Sequence, residues 1–291
     1  MIDPPRPIGD MYALVYEGIE AIGRGDEAAL NKLAELTSNV PDWIRLHLEM
    51  EHTFPSPSGV MRCRLAQWYA ARGVAPDQKS PLSWKVRRAA GILQEPYWLA
   101  VLASGGAKVE LPNKKYQCGP YMQAHPDAVM DDEFIIEIKS ETGVGYKRLL
   151  ETPGGVYVTE KSHYVQAQLY LFATGREYCL YLTNPPDPSL LQSDMRRYKR
   201  YGQNYELPAV YLEWIARDEA TIEMALERAE MITNDKKKDT PPLREFSGEE
   251  FEHTGKRAWP CAWCLNLSSC QKDSVPLRIG ESNADTEIVF S

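Results

Sequence analysis

The sequence predicts an α/β fold with the order helix, three strands, helix, strand. Further helices extend it, and a cysteine-bearing segment follows at the C-terminal end. Three observations carry this. Residues 83–104 read as a helix, whereas apolar residues alternate through 107–140 and again through 177–183, the period of a strand. Between the alternating stretches lies a helical segment from Ser162 to Thr174, stopped by Gly175. The stretch from His125 to Lys139 reads as two strands joined at Asp131-Asp132, where Asp favours a turn.

Taken in order, Met11, Leu14, Val15, Ile19 and Ile22 keep the spacing of one helical face. Gly23 and Gly25 break that helix, and Asp26 caps a second with Leu30 and Leu33 inward. Pro41-Asp42 opens a third. Ser58 caps a helix that Gly73 ends, with Cys63 in its first turns. The helix at 83–104 is interrupted near Pro96, either by a kink or by a new start with Pro96 in the first turn. Strands are expected at Ala107–Leu111, at Tyr116–Met130 with a break near Gly119-Pro120, and at Glu133–Ser140. Residues 141–160 carry Gly143, Gly145, Pro153, Gly154 and Gly155 and read as a mobile loop. Glu177–Thr183 and Val210–Ile215 are further strands. Asp218 caps a long helix with Ile222, Leu226, Ala229 and Ile232 inward. The remainder reads as irregular, with a loose tail at 275–291.

At 291 residues the chain can bury a sizeable core. No apolar run is long enough to span a membrane, and Met1-Ile2-Asp3-Pro4-Pro5 is unlike a signal peptide, so a cytoplasmic protein with reduced cysteines is expected. A net charge of −8 argues against a protein that coats nucleic acid. It leaves room for a local basic groove from Lys85, Arg87 and Arg88, from Arg196, Arg197, Lys199 and Arg200, or from Lys236, Lys237 and Lys238. Each set is also an ordinary solvated helix face.

Chemistry concentrates in the hairpin. Alternation puts Phe134, Ile136 and Ile138 on one face of its second strand and Ile135, Glu137 and Lys139 on the other. A charged pair on so apolar a strand calls for a partner, and Asp127 is the neighbour across the hairpin. Asp127 and Glu137 can hold a divalent cation between them, with Lys139 beside it. Pro126-Asp127 followed by Glu137-Ile138-Lys139 resembles the PD-(D/E)XK nuclease superfamily, whose core has the αβββαβ order. Gln166 and Tyr170 share a helix face, and this Gln-x-x-x-Tyr resembles the further motif of the RecB-type branch.

Cys261-x2-Cys264-x5-Cys270 with a distant Cys63 suggests a tetrathiolate metal site. Zinc is one occupant. The one-plus-three layout beside such a core resembles the iron–sulfur members, the AddB nuclease domain and the CRISPR-associated RecB-like exonucleases, and implies a [4Fe–4S] cluster. Cys118 and Cys179 read as small core residues.

The resemblance covers about residues 56–272. It implies an N-terminal helical part at 1–80 contributing Cys63, a nuclease core at 81–235, and an iron–sulfur segment and tail at 236–291. It also implies a metal-dependent DNA exonuclease acting on single- or double-stranded ends. Asp127, Glu137 and the backbone carbonyl of Ile138 would ligate Mg or Mn. Lys139 would orient or deprotonate water, and Gln166 and Tyr170 would position the strand. Glu95, on the helix before the sheet, and His125, beside Pro126, are lesser candidates, each also readable as structural. A helicase or a recombination, CRISPR or phage protein is the implied partner, with no membrane involved. A non-catalytic adaptor with structural zinc and a site-specific endonuclease are the competing readings.

Overall fold

The computed structural model describes residues 6–38, 55–77, 82–111, 115–184, 210–246, 261 and 264–272. The expected helix at Pro41-Asp42, the basic run from Arg196 to Arg200 and the tail at 275–291 lie outside them.

A mixed five-stranded sheet forms the centre, in the order β1-β4-β5-β6-β7. Its strands are β1 (Val109–Glu110), β4 (Ala128–Met130), β5 (Phe134–Ser140), β6 (Tyr178–Asn184) and β7 (Tyr211–Ala216). β5 and β6 run parallel and the other neighbours antiparallel. The expected strand at 116–130 is three pieces. Gly119, with φ +60°, turns the chain between β2 (Tyr116–Cys118) and β3 (Met122–Ala124), which pair as a separate ribbon, and only β4 joins the main sheet.

Both faces of the sheet are covered, so β5 contributes to two cores. Phe134, Ile136 and Ile138 pack with α1 (Ile8–Gly23), α2 (Glu27–Ser38) and α4 (Leu82–Ser104). Ile135, on the opposite face, packs with residues of α7 (Lys161–Thr174) and α8 (Glu219–Lys237). Helices α1 and α4 meet backbone to backbone: a Cβ on Gly18 would stand 2.0 Å from the Val101 carbonyl oxygen, and one on Gly105 2.0 Å from that of Leu14. Any larger side chain at either position would force the helices apart.

Several local expectations hold. Asp26 accepts from the Ala28 and Ala29 amides, and Asp218 from those of Ala220 and Thr221, each capping its helix. Gly175 ends α7 in the left-handed conformation. Others do not. Leu30 faces outward, and Ala29 and Leu36 bury instead. α4 runs through Pro96 as one element. Ser58 sits in a turn, and α3 (Arg64–Ala71) begins later with Cys63 at its N-cap. Ser162 lies inside α7, because the helix starts two residues earlier with the Glu160 carbonyl accepting from His163 and Tyr164.

The stretch 141–160 is not a loop but α5 (Gly143–Glu151) and α6 (Gly155–Thr159). Thr142 caps α5 through the Gly145 amide, while Tyr146 and Leu149 bury. The Glu213 carboxylate of β7 accepts from the Val156 amide and anchors α6. Glycines masked an apolar face that burial and two capping bonds stabilise. Near the C-terminal end, α9 (Leu267–Lys272) adds a short helix where irregular chain was expected. Among the described residues no helix is long and apolar enough to cross a membrane.

Candidate active site

The hairpin forms as its residues dictate. Asp131 and Asp132 both take positive φ, 53° and 62°, the combination a primed hairpin turn requires. Register then follows: Met130 faces Phe134 and Ala128 faces Ile136, so one residue further Asp127 stands opposite Glu137. An Asp127 carboxylate oxygen accepts from the Ile138 amide at 2.7 Å, which seats Asp127 against β5.

Glu137 is wholly buried. Its carboxylate pairs with the Lys139 ammonium, and apart from that neither oxygen has a hydrogen-bond partner among the described residues. Burial first, and the Asp127 charge second among the raising causes, push the Glu137 carboxyl upward in pKa. Glu95 joins from α4. Its carboxyl is also pushed up, by burial, by Asp127 and by Glu137, while Lys139 opposes the shift. Glu95, carried by α4, therefore stands near Asp127, Glu137 and Lys139.

Burial alone would lower the Lys139 pKa. Glu137 and Asp127 outweigh it and keep the amine charged. Three carboxylates thus surround one ammonium. That grouping of acids, with a buried carboxyl bonded only to Lys139 at its centre, fits a divalent cation held by oxygen ligands. The cleft beside it, about 360 Å³, is lined by Arg88, Glu95, Ile138 and Lys139 among others. Of the expected basic clusters, Arg88 reaches this cleft. Lys236 and Lys237 instead lie in the last turn of α8.

On α7 the Gln166 amide donates to the Tyr170 hydroxyl at 2.9 Å, both side chains buried. Burial raises the Tyr170 pKa most, followed by the charges of Glu137 and Asp127, so the pair faces the carboxylates. Gln166 is not a surface amide. His125 is half-buried, one residue before Pro126.

Sequence reasoning missed what continues beyond Lys139. Glu141, Glu160 and His163 bring one donor atom each within 4.8 Å of one another, a spacing that Glu95, Asp127 and Glu137 do not share. Two periodicities pointed there. Glu141 is two residues past Lys139, directly after the end of β5, and His163 is three before Gln166 on the same helix face.

Two of the cysteines, Cys63 and Cys270, pack against the small cluster of Leu65, Trp68 and Tyr69. Cys63 also feels the charges of Glu245 and Cys264, though burial is the main cause that pushes its thiol up to about 12. The Cys264 amide donates to the Cys261 carbonyl at 3.2 Å. Asp77 accepts from the Ser269 amide and hydroxyl and donates its own amide to the Leu265 carbonyl, so the C-terminal segment is bonded to the chain after α3. Beside Cys63, the Arg64 guanidinium donates to buried Asp235 at 2.8 Å. Cys118 and Cys179 are fully buried in the α7–α8 core, as expected.

No protein-family model matches the chain, and no curated protein does. Among solved structures, an alkaline exonuclease from Laribacter hongkongensis is 16% identical over 67% of this chain and 92% of its own, with a TM-score of 0.43. The same exonuclease in complex with dAMP is 17% identical over 62% and 86%, also at 0.43. A phage related exonuclease from Haemophilus somnus is 13% identical over 68% and 79%, at 0.33. At these scores the likeness is coarse, and the chemistry follows from this chain's own residues.

Proposed function

We propose that this chain is a divalent-metal-dependent deoxyribonuclease of PD-(D/E)XK type that hydrolyses phosphodiester bonds at DNA ends. One observation carries the reading: Asp127, Glu137 and Glu95, from a hairpin and a helix, converge on Lys139, and the central carboxylate is buried without a hydrogen-bond donor besides that lysine. So costly a burial of like charges is expected where a cation compensates it.

Asp127 and Glu137 would hold Mg or Mn, with the Ile138 carbonyl as a third oxygen and Glu95 closing the set. A bound ion there would supply positive charge for the phosphate and acidify a nearby water. Lys139 holds its proton as long as the carboxylates surround it unneutralised, and so donates to water or to a phosphate oxygen. Once their charge is compensated, burial favours the neutral amine and lets it take a proton from water. Gln166 and Tyr170 fix each other's rotamers and present a polar edge to the strand being cut. Arg88 in the cleft offers a cation to the DNA backbone.

The four cysteines Cys63, Cys261, Cys264 and Cys270 would hold a structural [4Fe–4S] cluster. Hydrolysis moves no electrons, so the cluster serves by tying the C-terminal segment to α3. The half-buried Cys63 thiol would release its proton on binding the metal, coupling cluster binding to folding. Iron analysis of protein purified without oxygen tests this: stoichiometric zinc without iron would replace the cluster by a zinc site.

Cleavage of linear and circular DNA, single- and double-stranded, with Mg or Mn and then with excess chelator tests the activity. Linear DNA is shortened from its ends and circles are spared; cutting of circles would make the enzyme an endonuclease. Full activity of Glu137→Ala, or in excess chelator, would overturn the assignment.

A further inference from the structure

We propose that Glu141, Glu160 and His163 form a second cation site, separate from the catalytic one, that takes a transition metal of the zinc, cobalt or manganese class. Two elements build it. Glu141 follows directly on β5, Glu160 stands at the N-cap of α7, and His163 lies in the first turn of α7. Their donor atoms fall within 4.8 Å of one another. The His163 Nδ1 to Glu141 Oε1 separation is 3.4 Å. Two ligands on a tetrahedral ion at bond lengths of about 2.1 Å stand roughly 3.4 Å apart, so this edge is already at coordination distance.

The surroundings are built for the carboxylate. A Cβ on Gly145 would come within 2.5 Å of Glu141 Oε2, so the side chain lies against bare backbone at the start of α5. The Tyr181 hydroxyl lies 3.0 Å from His163 Nδ1, and the Arg148 guanidinium pairs with Glu160. Lys139 is the remaining charge facing the cluster. One imidazole with two carboxylates favours transition metals over magnesium.

The site is not the second ion of a catalytic pair. Four residues of strand separate Glu137 from Glu141, about 13 Å at the rise of a β-strand, whereas paired catalytic ions lie roughly 4 Å apart. A cation here would join the end of β5, which carries Lys139, to the start of α7, which carries Gln166 and Tyr170.

The test uses the full chain carrying Glu137→Ala, so that the catalytic site does not contribute, and titrates it with Co2+. Cobalt on thiolates gives strong sulfur-to-metal charge-transfer bands in the near ultraviolet, which an oxygen and nitrogen site lacks. One equivalent should bind with visible ligand-field bands alone, and adding His163→Gln should weaken it roughly 100-fold or more, at least the cost of losing a supporting partner of a metal ligand. Glu160→Gln, a change at a partly exposed side chain, should do the same, and it decides the matter if the His163 variant folds poorly. Binding only with charge-transfer bands, or ligand-field bands unchanged in Glu160→Gln, would overturn the site, whatever the outcome of the cleavage assays.

Discussion

Asp127, Glu137 and Lys139 come from a single hairpin, residues 127–139. Cys63 and Cys270 are 207 residues apart in the chain (270 − 63) and both pack on Leu65, Trp68 and Tyr69. The hairpin holds its charges by strand register and one short bond, Ile138 amide to Asp127. The cysteine corner is held by long-range polar contacts: Arg64 to Asp235, Arg64 and Arg228 to Glu245, and Asp77 to Ser269. Strand register tolerates costly charges in place because the hydrophobic faces of β5 fix it independently of them. The corner has a small apolar cluster and depends on its polar bonds. Changes in the hairpin should therefore remove activity without unfolding, and changes in the corner should unfold without a direct effect on chemistry.

The sharpest separation should come from Glu137→Ala and Asp127→Ala. Each is expected to lower cleavage by roughly 1000-fold, the order found for removing one transition-state stabilising group. The melting temperature of metal-free protein should change little, since relief of a buried like-charge contact offsets the lost pairing with Lys139 in one variant and the lost Ile138 amide bond in the other. A collapse in stability would show that the carboxylates, not the apolar faces, hold the register.

Asp235→Ala is the mirror experiment. It strands the Arg64 guanidinium, whose side chain is 16% exposed against 4% for Asp235. A loss of about 3 kcal/mol is expected in urea titrations, since breaking one partner of a buried pair leaves an uncompensated charge. Cleavage per folded molecule should stay at the wild-type rate; a proportionate fall in kcat would join the corner to the chemistry.

Gln166→Ala lies between the two. It leaves the buried Tyr170 hydroxyl without its donor, at a cost of about 1 kcal/mol, and should slow cleavage more than that loss of stability explains. Tyr170→Phe should reproduce the rate effect, and equal rates in both variants and wild type would return the pair to a purely structural role.

The smallest expected effect is a drift with pH. Glu95 and Glu137 are raised above the ordinary carboxylate value, and Glu141 is raised from 4.5 to about 8, each chiefly by burial. The folded chain then holds protons that the unfolded chain has released, so stability of metal-free protein falls as pH rises from about 4.5 towards 8. Glu137→Gln should flatten that slope. Melting curves across this range check it, and a rise in stability with pH would mean the carboxylates are ionised and compensated.

The sequence by itself determined what depends on backbone period. A repeat of two put Glu137 and Lys139 on one face of β5, and a repeat of 3.6 put Gln166 and Tyr170 on one face of α7. The caps at Asp26 and Asp218 were equally legible, because a short polar side chain before an apolar helix bonds its own neighbours. Only the tertiary structure decided what depends on elements meeting. Glu95 is one glutamate of a helix until α4 crosses the open end of the hairpin. Glu141 comes from the end of β5 and Glu160 and His163 from the start of α7, which meet only when α5 and α6 fold back over the sheet. Those two helices were read as a loop because their glycines lower helix propensity, a local penalty that burial of Tyr146 and Leu149 and the Glu213 anchor outweigh. Periodicity is set by covalent geometry and is written in neighbouring residues; adjacency is set by which apolar faces bury each other, and no short stretch of chain records that.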